Sequence, residues 1–78
     1  MCPQLISDYQ AKMKIANDAA AKLRTARMEL SKNYSAANSA QVERTMSWYA
    51  QAKGAAEAAE SAVKGNGCTY TKIAFIPL

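Results

Sequence analysis

The first part of the chain carries apolar residues at the spacing of an amphipathic α-helix. No glycine interrupts it, and Pro3 fits a first helical turn, where its missing N–H is not needed. A seven-residue repeat, typical of a coiled-coil seam, runs through Cys2, Tyr9, Ala16, Leu23 and Leu30. The pattern predicts a helix over about residues 3–32.

A second helical pattern follows the polar segment KNYSAANS, residues 32–39. Its seam also repeats every seven residues, through Val42, Tyr49, Ala56 and Val63. The polar segment offers several side chains that can cap a helix N-terminus, namely Ser35, Asn38 and Ser39. We predict a loop over about residues 33–38 and a second helix over about residues 39–64.

Glycines end this second helix and also interrupt it. Residues 65–67, Gly-Asn-Gly, form a strong C-terminal stop of the kind that places glycine just past a helix end. Gly54 lies inside the helix, where glycine costs about 1 kcal/mol relative to alanine. Close approach of the two helices is the expected reason for Gly54.

Two long helices joined by a short loop must lie antiparallel. This arrangement places Tyr9 opposite residues 58–62, and it places the alanine-rich residues 16–20 opposite residues 50–54. Large residues on one helix then meet small residues on the other. The predicted fold class is all-α: an antiparallel two-helix hairpin over residues 1–67, alanine-rich and coiled-coil-like.

The last residues, 68–78, follow a different pattern and form an extended apolar tail. Residues 69–76 are rich in β-forming residues, and Pro77 ends the run. Because an extended segment cannot satisfy its backbone alone, three arrangements are open. The tail could lie along its own hairpin on the Trp48 face, pair with the same segment of a neighbouring chain, or become ordered only when a partner binds.

The second helix has an apolar face besides its seam, formed by Trp48 and several alanines. A helix that is apolar on more than one side is usually buried on more than one side, and large exposed apolar patches usually mark contact sites. The alternative is a set of scattered surface alanines with one half-exposed tryptophan. We expect an interface that comprises Trp48, Ala55, Ala62, Ile73, Phe75, Ile76 and Leu78.

The two cysteines lie at the two ends of the hairpin. A chain of 78 residues has little core and usually needs a staple, and the antiparallel arrangement brings Cys2 beside Cys68. A disulfide there would stabilise the fold by roughly 4 kcal/mol and would imply a secreted, periplasmic or virion-associated protein. The alternatives are two free thiols in the cytoplasm, or a lipidated Cys2 that leaves Cys68 alone.

The residue inventory argues against an enzyme and against a cofactor or metal. The chain has no histidine, no glycine-rich phosphate loop and no serine with an identifiable base. Glu57 and Glu60 resemble a carboxylate pair, but salt bridges to Lys53 and Lys64 explain them more simply. The longest apolar run, IAFIPL, is far short of the ~20 residues that span a membrane, and the N-terminus lacks the basic and apolar regions of a signal peptide.

These features favour a small non-enzymatic protein–protein interaction or self-assembly module. It would be a structural subunit or a small inhibitor, associated with a virion or an envelope. The net charge of +4 leaves one alternative from another class, a small basic helical hairpin that binds nucleic acid. The basic residues of the first helix scatter around its polar surface rather than forming one ridge, which favours the protein-binding hypothesis.

Overall fold

The computed structural model describes all residues, 1–78, and contains two α-helices. Helix α1 spans Cys2–Lys32, and helix α2 spans Ala36–Gly65. They pack along their length as an antiparallel hairpin, which gives the molecule the shape of a rod of 48 × 16 × 14 Å. The prediction of an all-α two-helix hairpin is confirmed, and residues 68–78 contain no helix or strand.

The core is narrow and built mostly from alanines. Only four large side chains are almost completely buried, namely Tyr9, Met13, Leu23 and Val63. The small buried residues of α1 are Ala16, Ala19, Ala20 and Ala26, and those of α2 are Ala52, Ala56 and Ala59. Alanine seams let two helices approach closely but bury little apolar surface. The hairpin therefore depends on contacts outside its seam.

The turn between the helices is shorter than predicted. The N-cap of α2 is Ser35, whose side chain accepts a hydrogen bond from the Asn38 backbone N–H at 3.1 Å. Asn38 itself reaches back across the turn, and its Nδ2 donates to the Asn33 carbonyl at 2.7 Å. Helix α2 thus begins at Ala36 rather than near residue 39, because Asn38 binds the preceding loop instead of capping the helix.

Gly67, rather than Gly65, is the glycine that the end of α2 requires. Gly65 is the last helical residue, whereas Gly67 has a φ of 68° in the left-handed region. The Cys68 N–H donates to the Val63 carbonyl at 3.2 Å, and the Gly67 N–H donates to the Lys64 carbonyl at 3.0 Å. This pair of bonds is the Schellman motif, and its turn brings Cys68 back beside the last turn of the helix.

Gly54 does not lie between the helices, so the reason expected for it is wrong. Gly54 is exposed, and a Cβ atom added there would meet no atom within 4 Å. Close approach is instead achieved at Ala52 and Ala56, which are both buried.

The two glycines therefore predict opposite effects on stability. Gly67→Ala should lower the free energy of unfolding by about 1–2 kcal/mol, because an L-residue is strained in the left-handed region. Gly54→Ala should raise it by about 1 kcal/mol, because alanine is the better helix former at an open position. Urea denaturation of the oxidised proteins measures both effects, and a Gly67→Ala protein as stable as the Gly54→Ala protein would contradict the assignment of the helix end.

Candidate functional site

The two ends of the hairpin are joined by the predicted disulfide. Cys2 begins α1, Cys68 follows the Schellman motif, and the structure brings their sulfurs to disulfide-bonding distance with the Cα atoms 5.7 Å apart. Both cysteines are half-buried. The cross-link joins two residues that are 66 positions apart in the sequence, and it fixes the point at which the tail leaves the hairpin.

The tail lies on its own hairpin, which is the first of the three arrangements considered, but on the flank away from Trp48. It contacts Asn17 of α1 and Lys53 of α2. Trp48 contacts Lys22. Five residues along an α-helix correspond to a rotation of about 140°. Lys22 is therefore turned about 140° from Asn17 on α1, and Trp48 is turned about 140° from Lys53 on α2. The hairpin therefore has two different flanks, one covered by the tail and one open.

Two side chains of α1 hydrogen-bond the main chain of the tail. The Tyr9 hydroxyl accepts from the Ile73 N–H at 2.8 Å and donates to the Ile73 carbonyl at 3.4 Å. Asn17 Oδ1 accepts from the Ile76 N–H at 2.9 Å, and Asn17 Nδ2 donates to the Ala74 carbonyl at 3.2 Å. Tyr9 and Asn17 take the place that a neighbouring strand would have. We call this flank, with Tyr9, Met13, Asn17, Lys53 and Glu60, the tail groove.

Tail side chains add apolar and polar contacts to these bonds. Ile73 and Phe75 pack on the core cluster, and the Lys53 ammonium lies 5.4 Å from the centre of the Phe75 ring. The Tyr70 ring meets the Tyr9 ring edge-on, with centroids 5.4 Å apart. These contacts cover one side of the Tyr9 ring, which is only 1 % exposed.

Two residues of the tail, Tyr70 and Lys72, contact the carboxylate of Glu60. The Tyr70 hydroxyl donates to this carboxylate at 2.8 Å, and the Lys72 ammonium lies 3.7 Å away. The Tyr70 hydrogen bond lowers the pKa of Glu60 below its usual value of 4.5; burial, the next largest effect, opposes it, and Lys64 and Lys72 lower the pKa further. Burial, followed by the bond to Glu60, raises the pKa of Tyr70 to about 12.

The open flank carries exposed apolar side chains. We call the face formed by Ile15, Lys22, Trp48, Ala55 and Ala62 the Trp48 flank. Trp48 is 37 % exposed and Ile15 is 49 % exposed. They border an open depression of about 440 Å³. The Lys22 ammonium lies 5.1 Å from the centre of the Trp48 ring.

Two lysines that could form i,i+4 salt bridges lie over aromatic rings instead. On α1, Asp8 and Lys12 form their i,i+4 pair at 2.9 Å. Asp18 forms no salt bridge with Lys14 or Lys22, and Lys22 lies over Trp48. Lys53 likewise lies over Phe75 instead of pairing with Glu57. No three potential metal ligands cluster anywhere in the chain.

The predicted interface residues fall into two groups that the structure keeps apart. Trp48, Ala55 and Ala62 lie on the Trp48 flank, whereas Ile73, Phe75 and Ile76 are half-buried on the tail side. Leu78, at the end of the tail, is 51 % exposed. Sequence reasoning overlooked Asn17. Its signal is a polar residue of poor helix propensity within an alanine-rich part of the helix.

The fold and the site together define a class of protein: a disulfide-closed antiparallel helical hairpin with its C-terminal tail docked along one flank. Neither helix has an apolar stretch long enough to cross a membrane. Comparison of the chain with protein-family models, curated protein sequences and solved structures found no match.

The disulfide should contribute a large part of the stability. Replacing both Cys2 and Cys68 by serine should lower the free energy of unfolding by roughly 4 kcal/mol, since the cross-link restricts almost the whole unfolded chain. Urea denaturation with and without reductant measures this loss in the natural chain. The Cys-to-Ser protein is the control, because reductant should leave its midpoint unchanged. Equal midpoints for the natural chain in both conditions would contradict the assignment.

The Tyr70–Glu60 pair predicts how tail docking depends on pH. The pKa of Glu60 is lowered on folding, so its contribution is present above pH 4.5 and is lost as the pH falls through the lowered pKa. The pKa of Tyr70 is raised, so its contribution is present below pH 10.0 and is lost as the pH rises toward about 12.

The stability difference between the natural chain and Tyr70→Phe should therefore be constant between roughly pH 5 and 9 and shrink on both sides. Denaturation midpoints measured from below about pH 4 to above about pH 10 check this expectation. Tyr34→Phe is the matched control, because Tyr34 is 82 % exposed and its substitution should have no effect on stability at any of these pH values. A Tyr70→Phe difference that did not change below pH 4 would sink this interpretation.

Proposed function

We propose that this chain is a non-enzymatic self-assembly module that binds a second copy through the Trp48 flank. The observation that carries this proposal is the exposure of Trp48 and Ile15 side by side around one depression. A monomer that used its tail to cover this surface would hide both side chains, but the tail lies on the other flank. Exposed apolar patches of this kind usually mark contact sites.

The chemistry of the Trp48 flank favours a helical partner over an extended one. In the tail groove, Tyr9 and Asn17 satisfy the main chain of an extended segment. The Trp48 flank presents mainly aliphatic and aromatic side chains; of the two charged residues that line its depression, Asp18 and Lys22, the lysine lies over Trp48. A segment that docks there must bring its own backbone hydrogen bonds, as an α-helix does.

A second hairpin supplies helices of the required kind. Two hairpins that face each other through their Trp48 flanks would form a four-helix bundle, in which side chains of both flanks fill the space between the layers. Ala55 and Ala62 lie one heptad apart and leave room for a large side chain of the opposite hairpin, and Trp48 is the large side chain on the same flank. The narrow core of the single hairpin would gain the buried apolar surface that it lacks.

This role fits a structural subunit in an oxidising compartment. The Cys2–Cys68 pairing supports such a location, because disulfides form and persist outside the reducing cytoplasm. A small inhibitor would use the same flank to bind a helix of a different protein. The two forms of the proposal differ in whether the purified chain associates with itself.

Trp48 is the only tryptophan of the chain, so its fluorescence reports on this flank alone. As concentration rises, light scattering should show a change from one chain to two, and Trp48 emission should shift to shorter wavelength as water leaves the ring. Trp48→Ala should abolish the increase in mass, and Ile15→Glu should abolish both the increase in mass and the emission shift. Tyr34→Ala is the control, because Tyr34 is exposed in the turn and should leave the dimer intact.

Self-assembly is contradicted if the natural chain keeps the mass of one molecule and an unchanged Trp48 emission up to about 1 mM, the range of very weak binding. A dimer that Ile15→Glu does not weaken would instead place the interface elsewhere on the hairpin.

A further inference from the structure

The tail groove recognises the main chain of the segment that it holds. All four hydrogen bonds from Tyr9 and Asn17 go to backbone atoms of residues 73–76. The Asn17 carboxamide brackets Phe75, because it bonds the carbonyl before this residue and the N–H after it. The Phe75 ring is then held between the core cluster and Lys53. This is the chemistry of a peptide-binding groove, here occupied by the chain's own tail.

We propose that the tail groove also accepts residues 72–78 of a second copy, so that two chains exchange tails. A second copy supplies the segment for which the groove is already complementary: the bonds that Tyr9 and Asn17 make to residues 73–76 within one chain can be made between two, as in domain swapping. The charges also favour a tail of this chain as the segment bound in the groove, since Glu60 of the groove lies 3.7 Å from Lys72 of the tail. This inference does not depend on the Trp48 flank.

The point of exchange is the segment just after Cys68. Cys68 is held by its pairing with Cys2 and by the Schellman motif, so it stays with its own hairpin. Thr69 and Thr71 are exposed and make no hydrogen bond within the chain. Residues 69–71 span about 10 Å when extended, and they form the connection that would cross to a hairpin whose groove lies directly beside Cys68.

Concentration decides which tail occupies the groove. A chain's own tail is present at an effective concentration on the order of 1 mM, so exchange requires chains held at comparable density or a groove whose own tail has been displaced. The second condition can be produced by mutation in the full-length chain, and it allows the exchange to be tested in dilute solution.

The test mixes two complementary full-length variants, both oxidised and both carrying Trp48→Ala to remove the other association. The tail-released variant carries Ile73→Asp and Phe75→Asp, which expel its tail and leave the groove intact. The groove-disabled variant carries Tyr9→Phe and Asn17→Ala, which remove the four hydrogen bonds and leave the tail intact. Each alone should have the mass of one chain, and the mixture should form a one-to-one complex.

Recognition of the main chain has its own test, with a labelled synthetic peptide of residues 69–78 as the probe. The peptide should bind the tail-released variant at least tenfold more tightly than the natural chain, whose own tail competes. N-methylation of the peptide at both Ile73 and Ile76 should weaken binding about tenfold or more, because two hydrogen bonds are lost. N-methylation at Phe75 is the matched control, since this N–H has no hydrogen-bond partner.

Three outcomes overturn the proposal. The first is a mixture that stays monomeric, with circular dichroism and intact mass showing that both variants keep their helices and disulfide. The second is a tail-released variant that does not bind the natural peptide. The third is binding that is equally weakened by N-methylation at Phe75. If the Trp48→Ala chains exchange tails while the natural chain shows no association through Trp48, the proposed function fails and this inference stands.

Discussion

The link between Cys2 and Cys68 is the constraint on which the rest of the structure depends. A helical hairpin is held at one end by its loop, and here the other end is held by a covalent bond between Cys2, the first residue of α1, and Cys68, three residues after the end of α2. The same bond determines where the tail begins. Because Gly67 turns the chain at the end of α2, the tail starts at the disulfide end of the rod and runs back along the hairpin toward the loop.

The alanine-rich seam explains why the flanks matter so much in this protein. Alanines bring the helices together without filling the space on either side, so each flank exposes side chains that a wider core would bury. The polar residues of α1 then decide what each flank can hold. Asn17 and the hydroxyl of Tyr9 bond the backbone of the tail, whereas Ile15 lies beside a depression lined mainly by Ala21, Trp48 and two charged residues, Asp18 and Lys22.

Much of this architecture could be predicted from the sequence, because it follows from spacing. The seven-residue repeats predict the helices, and the antiparallel arrangement then brings Cys2 to Cys68. The start of α2 could not be predicted, since Ser35, Asn38 and Ser39 can all cap a helix, and the choice depends on the bond from Asn38 across the turn. The flank that the tail occupies depends on Asn17, whose role becomes visible only when backbone atoms of the tail lie beside it.

Lys22 and Lys53 each lie over an aromatic ring, and the source of that ring differs between the two flanks. An i,i+4 salt bridge on a helix surface contributes about 0.3–0.5 kcal/mol, whereas a lysine over an aromatic ring contributes about 0.5–1 kcal/mol at an exposed site and also covers apolar surface with its stem. Lys22 and Lys53 both follow this preference. On the tail side, the ring under the lysine is supplied by Phe75, which in turn packs on the core cluster.

On the open side, the ring belongs to the hairpin itself, and no second element covers what Lys22 leaves exposed. Both flanks thus place a lysine over an aromatic ring, but a covering segment is present on only one of them. A docked segment completes the tail groove, and this contrast is the physical reason to expect that the Trp48 flank is completed by a second molecule.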